Sequence, residues 1–296
     1  MRLVTTIEMD GGHRLGVVRG EAVLDLPAQR GWPSSMRALA AAPAGVLDEI
    51  RTWAATAAGP GRTLASIRLA APIPDPGKIV AIGLNYADHA VETGLAAPES
   101  PLVFAKFPSS VIGPDDTIEW DRALTDQVDY EAELGVVIGR RARNVTEEDA
   151  LDHVFGYTCV DDVSARDLQF GDKQWVRGKS LDTFCPIGPW IVTADEIPDP
   201  QALKIECLVN GEALQSSSTA HMFFGVRALI ARLSRSFTLE PGDLIATGTP
   251  AGVGVFRTPQ RLLRDGDDVV VRITGIGELR NPCRATGGPA PASPTA

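Results

Sequence analysis

VDYEAELGVVIG at 128–139, YTCVDDVSARDLQ at 157–169 and WVRGKS at 175–180 decide how this chain is read. In an alternating strand, residues two apart point the same way, so Glu131 and Glu133 share a face. The run at 134–138 is apolar and reads as core. Two carboxylates at the mouth of a core strand repel each other, and burying them is costly unless a cation sits between them. Asp162 closes the following strand and Lys179 stands shortly after it. The two glutamates are therefore a candidate site for a hard cation such as Mg²⁺ or Mn²⁺, which all-oxygen ligands favour. The competing reading is a solvated edge carrying ordinary surface acids, and spacing alone leaves both open.

Composition narrows the classes. The 296 residues suffice for one large domain with a small appendage. Apolar content of 44% and charged content of 22% are those of a globular chain. A net charge of −10 argues against a nucleic-acid partner, yet a local metal and a few cationic side chains could still hold an anionic small molecule. No apolar run approaches the ~18 residues of a membrane span. The start, MRLVTTIEMDGGHRLG, lacks an apolar signal core. Cys159, Cys185, Cys207 and Cys283 form no C-x-x-C pair, so thiols in a cytoplasmic protein are expected.

Short strands are expected at 3–8, 15–19 and 22–25, punctuated by Asp10-Gly11-Gly12. The 36–58 stretch has a helical period broken near Pro43. APIPDPG at 71–77 reads as a stiff linker. The expected division is a small domain at 1–71, a main domain at 72–284 and a disordered Pro/Ala/Gly-rich tail at 285–296. TEEDA at 146–150 reads as a helix start, 164–169 as a polar turn, and Asn210-Gly211 as a hairpin turn. A helical period runs over 222–233. GTPAGVG at 248–254 lacks the lysine of a phosphate-binding loop, which leaves a nucleotide reading weak. In LNYADHAVETG, His89 and Glu92 are three apart, so on a helix they can touch. Such a pair can orient a water and take its proton, or it is an ordinary surface pair. Gly94 and Pro98 bracket the segment and would suit a mobile cover.

Taken together, GLNYADHAVE, VDYEAELGVVIG, YTCVDDVSARDLQ, RGKSLDTFCPIGP and ATGTPAGVG occur in the order seen in the fumarylacetoacetate hydrolase superfamily, a resemblance covering about residues 72–283. It implies an α+β, predominantly β fold: a mixed β-sandwich roll preceded by a small N-terminal α+β domain, assembled as a homodimer. It implies Glu131, Glu133 and Asp162 as ligands of Mg²⁺ or Mn²⁺, with Asp161 where many relatives carry Asn. Lys179 resembles the lysine that steadies developing negative charge, and His89 and Glu92 the water-activating pair of a lid. Gln169 and Thr249 resemble residues that hold substrate oxygens; Arg166 and Lys106 are weaker candidates for that role. SSSTAHMFF at 216–224 departs from the commoner N-T-S-D-M-x-F pattern at Ser218 and His221 while keeping Thr219, so the substrate tail stays open. His221 is expected to pack or face solvent, and His13 and His153 have no motif support. The implied activity is hydrolysis of a C–C bond in a 2,4-diketo acid, an acylpyruvate or fumarylpyruvate, giving pyruvate or a related 2-oxo acid. The alternative is oxaloacetate decarboxylation or keto–enol tautomerisation on the same site. QWVRGKSLDTFCPIGP at 174–189 resembles subgroups that include these activities. A non-catalytic metabolite binder would be favoured by loss of a ligand carboxylate, and none is lost.

Overall fold

The computed structural model describes residues 1–288; the end of the expected tail, 289–296, lies outside the described residues. The first part of the chain gives β1 (Arg2–Ile7), β2 (His13–Arg19), β3 (Ala22–Asp25), α1 (Met36–Ala40), α2 (Ala44–Thr56) and β4 (Arg62–Thr63). Then follow β5 (Ile79–Gly83), α3 (Ala87–Thr93), β6 (Leu102–Lys106), β7 (Val111–Ile112), β8 (Ile118–Asp121), β9 (Val128–Asp129), β10 (Ala132–Ile138), β11 (Val154–Asp161) and β12 (Ser164–Ala165). The chain closes with α4 (Arg166–Asp172), α5 (Val176–Lys179), β13 (Cys185–Thr193), β14 (Lys204–Val209), β15 (Glu212–Ser218), α6 (Val226–Ser236), β16 (Leu244–Ala246), β17 (Asp268–Ile273) and β18 (Gly277–Thr286). The fold is α+β and predominantly β.

Among the described residues, the main sheet runs β4-β3-β2-β1-β13-β11-β10-β16-β5-β6, with β7 also on β13. A second sheet runs β15-β14-β17-β18-β8. Both sheets are mixed, since β16 pairs parallel with β5 and β18 parallel with β8. At the centre lies β10, buried at every position. Its Leu134, Val136 and Ile138 join a core with Ile205, Val271 and Leu229 from the second sheet and α6. Its Val137 joins the opposite core, with Ile187, Ile191, Leu39 and Ile50. A strand covered on both faces reads as a continuous apolar run, which is why 134–138 shows no alternation. Each aliphatic side chain so buried contributes roughly 1.5–3 kcal/mol.

The N-terminal strands continue the main sheet through the β1–β13 pairing, and α1 and α2 cover one face of it. The Pro-rich stretch at 71–77 is packed rather than free. Ala71 and Ile73 are buried, and the Thr5 hydroxyl donates to the Pro72 carbonyl at 2.7 Å. Proline has no N–H to satisfy, so such a segment enters a core at low cost. The helix pair splits at Pro43 as the period predicts. Asn210 and Gly211 both take positive φ, the conformation a two-residue hairpin turn requires.

Three expectations are corrected. The stretch 164–169 is not a turn but leads into α4, whose buried Arg166 and Gln169 sit three apart on one face. That face is polar because it looks into the site, so no apolar period betrays the helix. At 146–150 the Thr146 hydroxyl accepts the Asp149 N–H at 3.2 Å, as a cap would, yet only a 3₁₀ turn at Ala150–His153 follows before β11 begins. Finally, Ala285 and Thr286 pair with Trp120 and Asp121, so the sheet runs into the expected tail.

Gly156 lies in the β11–β13 pairing, where an added Cβ would stand 2.3 Å from the Val192 carbonyl oxygen. Gly156→Ala is expected to cost about 1–3 kcal/mol through forced separation of the strands, read as a lowered midpoint in urea unfolding.

Candidate metal centre

Strand register brings the acids together. β10 and β11 are antiparallel with Ala132 opposite Asp161, so the acids entering one strand meet those leaving the other. Donor oxygens of Glu131, Glu133 and Asp162 all lie within 4.8 Å of one another, and all three residues are buried. Asp161 points elsewhere: its Oδ1 accepts the Glu131 N–H at 2.9 Å, and its buried Oδ2 has no partner. Adjacent residues at a strand end project oppositely, and that separates these two aspartates.

Burial of this much charge demands compensation. Lys179 Nζ donates to Glu131 Oε2 and Asp162 Oδ2, each at 2.7 Å. Lys106 Nζ donates to Asp162 Oδ1 at 2.6 Å, and also to the carbonyls of Val163 and Lys179. Arg166 lies 2.7 Å from Glu131 Oε1 and donates through Nε to Asp129 Oδ2 at 2.8 Å. Five buried carboxylates, Asp129, Glu131, Glu133, Asp161 and Asp162, thus face three buried cations, Lys106, Arg166 and Lys179. Asp161 points away from the cluster, and Glu133 accepts the Gly248 N–H at 2.8 Å but has no side-chain cation among the described residues; a divalent ion would supply that partner, and the oxygen-only donor set fits Mg²⁺ or Mn²⁺.

The titration behaviour follows from this arrangement. Burial pushes the Glu133 carboxyl well above its usual range, with Asp162 and Glu131 adding to the effect. Burial likewise lifts Asp161 to about 7. For Glu131 burial acts upward, but Lys179 and Arg166 outweigh it and hold the group low. Lys179 is lifted by Asp162 and Glu131 against the effect of its own burial.

Above the acids lies a pocket of about 100 Å³ lined by His89, Glu131, Arg166, Gln169, Lys179 and Thr249, with apolar walls. His89 and Glu92 share one face of α3, with His89 Nδ1 at 2.9 Å from Glu92 Oε2. Glu92 Oε1 accepts the Gly252 N–H at 2.9 Å, which ties this helix to the GTPAGVG loop. Gly252 has φ near 104°, and a Cβ there would stand 2.2 Å from the Leu214 carbonyl oxygen. Gln169 accepts from Arg166 at 3.0 Å. Lys106 does not belong with the substrate contacts expected of it: its bonds run behind Asp162, and it does not line the pocket. His221 stands apart, exposed and bonded to Ser217 at 3.0 Å.

Sequence reasoning missed several supports. Gln215 is buried; its Oε1 accepts the Ala132 N–H, and its Nε2 donates to Thr249 Oγ1 and the Pro250 carbonyl, at 2.8–2.9 Å. Thr249, serving Gln215 as acceptor, keeps its own proton for another partner. Asp129 accepts the N–H groups of Gly254 and Val255, at 2.7 and 3.0 Å, and so holds the same loop. Asp129 is the aspartate of the VDYE motif itself, the one signal that could have found it.

An all-oxygen acidic centre beneath a His–Glu pair, on a mixed-sheet β roll, defines a metal-site enzyme of small-molecule chemistry. The sequence model of the fumarylacetoacetate (FAA) hydrolase C-terminal family matches residues 78–284, and the chain belongs to the fumarylacetoacetate hydrolase superfamily. It is 51% identical over 222 residues to the oxaloacetate tautomerase YisK of Bacillus subtilis (strain 168), covering 74% of each chain. The mitochondrial oxaloacetate tautomerase fahd2 of Xenopus laevis is also 51% identical, over 73% of this chain and 68% of that one. Among solved structures, maleylpyruvate hydrolase from Sphingobium sp. SYK-6 in complex with manganese(II) ion and pyruvate superposes with a TM-score of 0.82 at 34% identity, covering 96% of this chain and 99% of that one.

Lys106→Met removes one partner of a fully buried ion pair and strands the Asp162 charge. The expected cost is about 3–5 kcal/mol, read from the denaturation midpoint of the metal-free protein; an unchanged midpoint would contradict the charge balance described above.

Proposed function

We propose that this protein is a divalent-metal-dependent keto–enol tautomerase of small 2-oxo acids, with oxaloacetate the first substrate to test. The observation that carries the reading is that His89 lines the same small pocket as Glu131, whose carboxylate belongs to the acidic triad with Glu133 and Asp162. The preference for tautomerisation is supported by the relatives at about half identity named for that activity.

Glu131, Glu133 and Asp162 would hold Mg²⁺ or Mn²⁺, which when bound supplies Lewis-acid stabilisation of charge on the 2-oxo oxygen. The chain's own groups do the rest. His89 gives its Nδ1–H to Glu92, so Nε2 carries the lone pair and can take a proton from C3. Glu92 fixes the ring and steadies the imidazolium formed. The same nitrogen returns the proton to the enolate oxygen, or runs the sequence in reverse. Lys179 and Arg166 offset charge at the inner end of the pocket, while Gln169 and the Thr249 hydroxyl orient the carboxylate of the substrate. Hydrolysis of a 2,4-diketo acid is the second reading, supported by the maleylpyruvate hydrolase at 34% identity. It would use the same base to deprotonate a water.

A homodimer belongs to the proposal. β6 is an edge strand, and Leu102, Val103 and Phe107 on or beside it are exposed, an apolar edge that a second copy can cover. The four buried free thiols support a reducing, cytoplasmic setting, and among the described residues no helix is long and apolar enough to cross a membrane.

With Mn²⁺ or Mg²⁺, the purified enzyme should accelerate decay of enol-oxaloacetate absorbance and outpace its own hydrolysis of acetylpyruvate. His89→Ala should lose ~10²–10⁴-fold in kcat while binding Mn²⁺ normally by calorimetry, whereas Glu133→Gln should lose the Mn²⁺ itself. Full activity in His89→Ala, or faster acetylpyruvate cleavage than tautomerisation, would reject the assignment. In sedimentation equilibrium the protein should weigh twice its 31.4 kDa, and Phe107→Glu should shift it to monomer.

A further inference from the structure

The pocket is divided by chemistry. Its polar groups gather at the inner end over the acids, and its outer wall is aromatic and aliphatic: Leu95, Phe104, Phe170, Trp175 and Phe256. Leu95, Phe170 and Phe256 are 52%, 54% and 42% exposed, so they form the mouth rather than the core. Large apolar side chains clustered at the rim of a site mark a surface that meets a ligand. Phe104 and Trp175 pack edge to face with centroids 5.3 Å apart, and Phe256 lies 6.0 Å from the His89 ring.

The cations tell the complementary story. Arg166 is engaged by Asp129, Glu131 and Gln169, and Lys179 by Glu131 and Asp162. Among the described residues lining the pocket, these are the two cationic side chains, and both sit at the inner end. Among the described residues lining the mouth, none carries a cationic side chain to pair with a second carboxylate.

We propose that this site takes 2-oxo acids bearing an aromatic group on C3, the arylpyruvates, and tautomerises them in preference to a dicarboxylate. This rests on the tautomerase reading above. The enclosed 100 Å³ receives the pyruvyl head, and the aryl ring extends outward between Phe170 and Phe256. That pose sets C3 beside His89, whose Nε2 takes the C3 proton. The C–H electron pair becomes the C2–C3 double bond, the carbonyl pair moves onto oxygen, and the proton is returned there; no oxidant or water is consumed. The ring conjugates with the new double bond, which favours the enolate.

The test compares ketonisation of enol-phenylpyruvate and enol-oxaloacetate by the Mn²⁺-loaded enzyme, followed by loss of enol absorbance. The expected kcat/KM is higher for phenylpyruvate. Phe170→Ala and Phe256→Ala should each lower the phenylpyruvate-to-oxaloacetate ratio roughly three- to tenfold, the scale of one aromatic contact. Phe170→Arg, which places a cation at the mouth, should move the ratio further toward oxaloacetate. Turnover of oxaloacetate with no preference for phenylpyruvate, or ratios untouched by these variants, overturns the inference and leaves the tautomerase reading standing. Turnover of neither enol overturns both.

Discussion

Repulsion among buried carboxylates is the constraint around which this molecule is arranged. Glu131, Glu133 and Asp162 are brought to one point by the β10–β11 register, which two apolar cores enforce from opposite faces. A one-residue slip would turn those carboxylates into the other core. Having placed the acids, the fold must compensate them, and it draws the cations from elsewhere. Lys106 comes from the edge strand β6, Arg166 from α4 and Lys179 from α5. Removal of any one leaves a charge in a medium that cannot solvate it. The site therefore acts as a staple across the roll as well as a ligand cage.

A second tier keeps the upper half of the pocket in register with the lower. Gln215 joins the main chain between the two glutamates to Thr249, and Asp129 holds the end of the same Gly-rich loop. Asn85 Nδ2 donates to the Thr247 carbonyl at 2.8 Å and so clasps its beginning. Glu92 then hangs the helix of His89 from Gly252. The base and the acids sit on separate elements, yet each is one or two hydrogen bonds from this loop. Its glycines serve that purpose: a side chain at Gly252 would collide with the neighbouring hairpin.

How much of this a sequence shows depends on whether a feature has a period. The paired glutamates were legible because strand alternation fixes their common face, and the His–Glu pair because helical spacing does the same. The helix at Arg166–Asp172 was hidden, since its inward face is polar and resembles a turn. The choice between Asp161 and Asp162 was a matter of which way adjacent side chains leave a strand end, and only the register decides that. Lys106 could be recognised as relevant but not placed, because its bonds to Asp162 and the Lys179 carbonyl span separations of 56 and 73 residues. The aromatic mouth was invisible for the same reason, as Phe104, Phe170 and Phe256 come from three unrelated stretches.

The division of the pocket explains how one inner site can serve several reactions. Proton transfer, decarboxylation and hydrolysis all need charge to build on a 2-oxo oxygen, and all would use the same acids and the same lysine. What separates them is what else is admitted: a proton on C3, a carboxylate free to leave, or a water beside a second carbonyl. Lys179 and Arg166, both committed to holding charge, would serve all three reactions alike and cannot make that choice. It falls to the mouth, where the side chains are large, apolar and free of structural duty. Phe256 lies 6.0 Å from the His89 ring, and neither it nor Phe170 offers a partner to a second carboxylate. An apolar wall beside the base disfavours a second charge, so on the proposed reading substrate choice would rest with these rings.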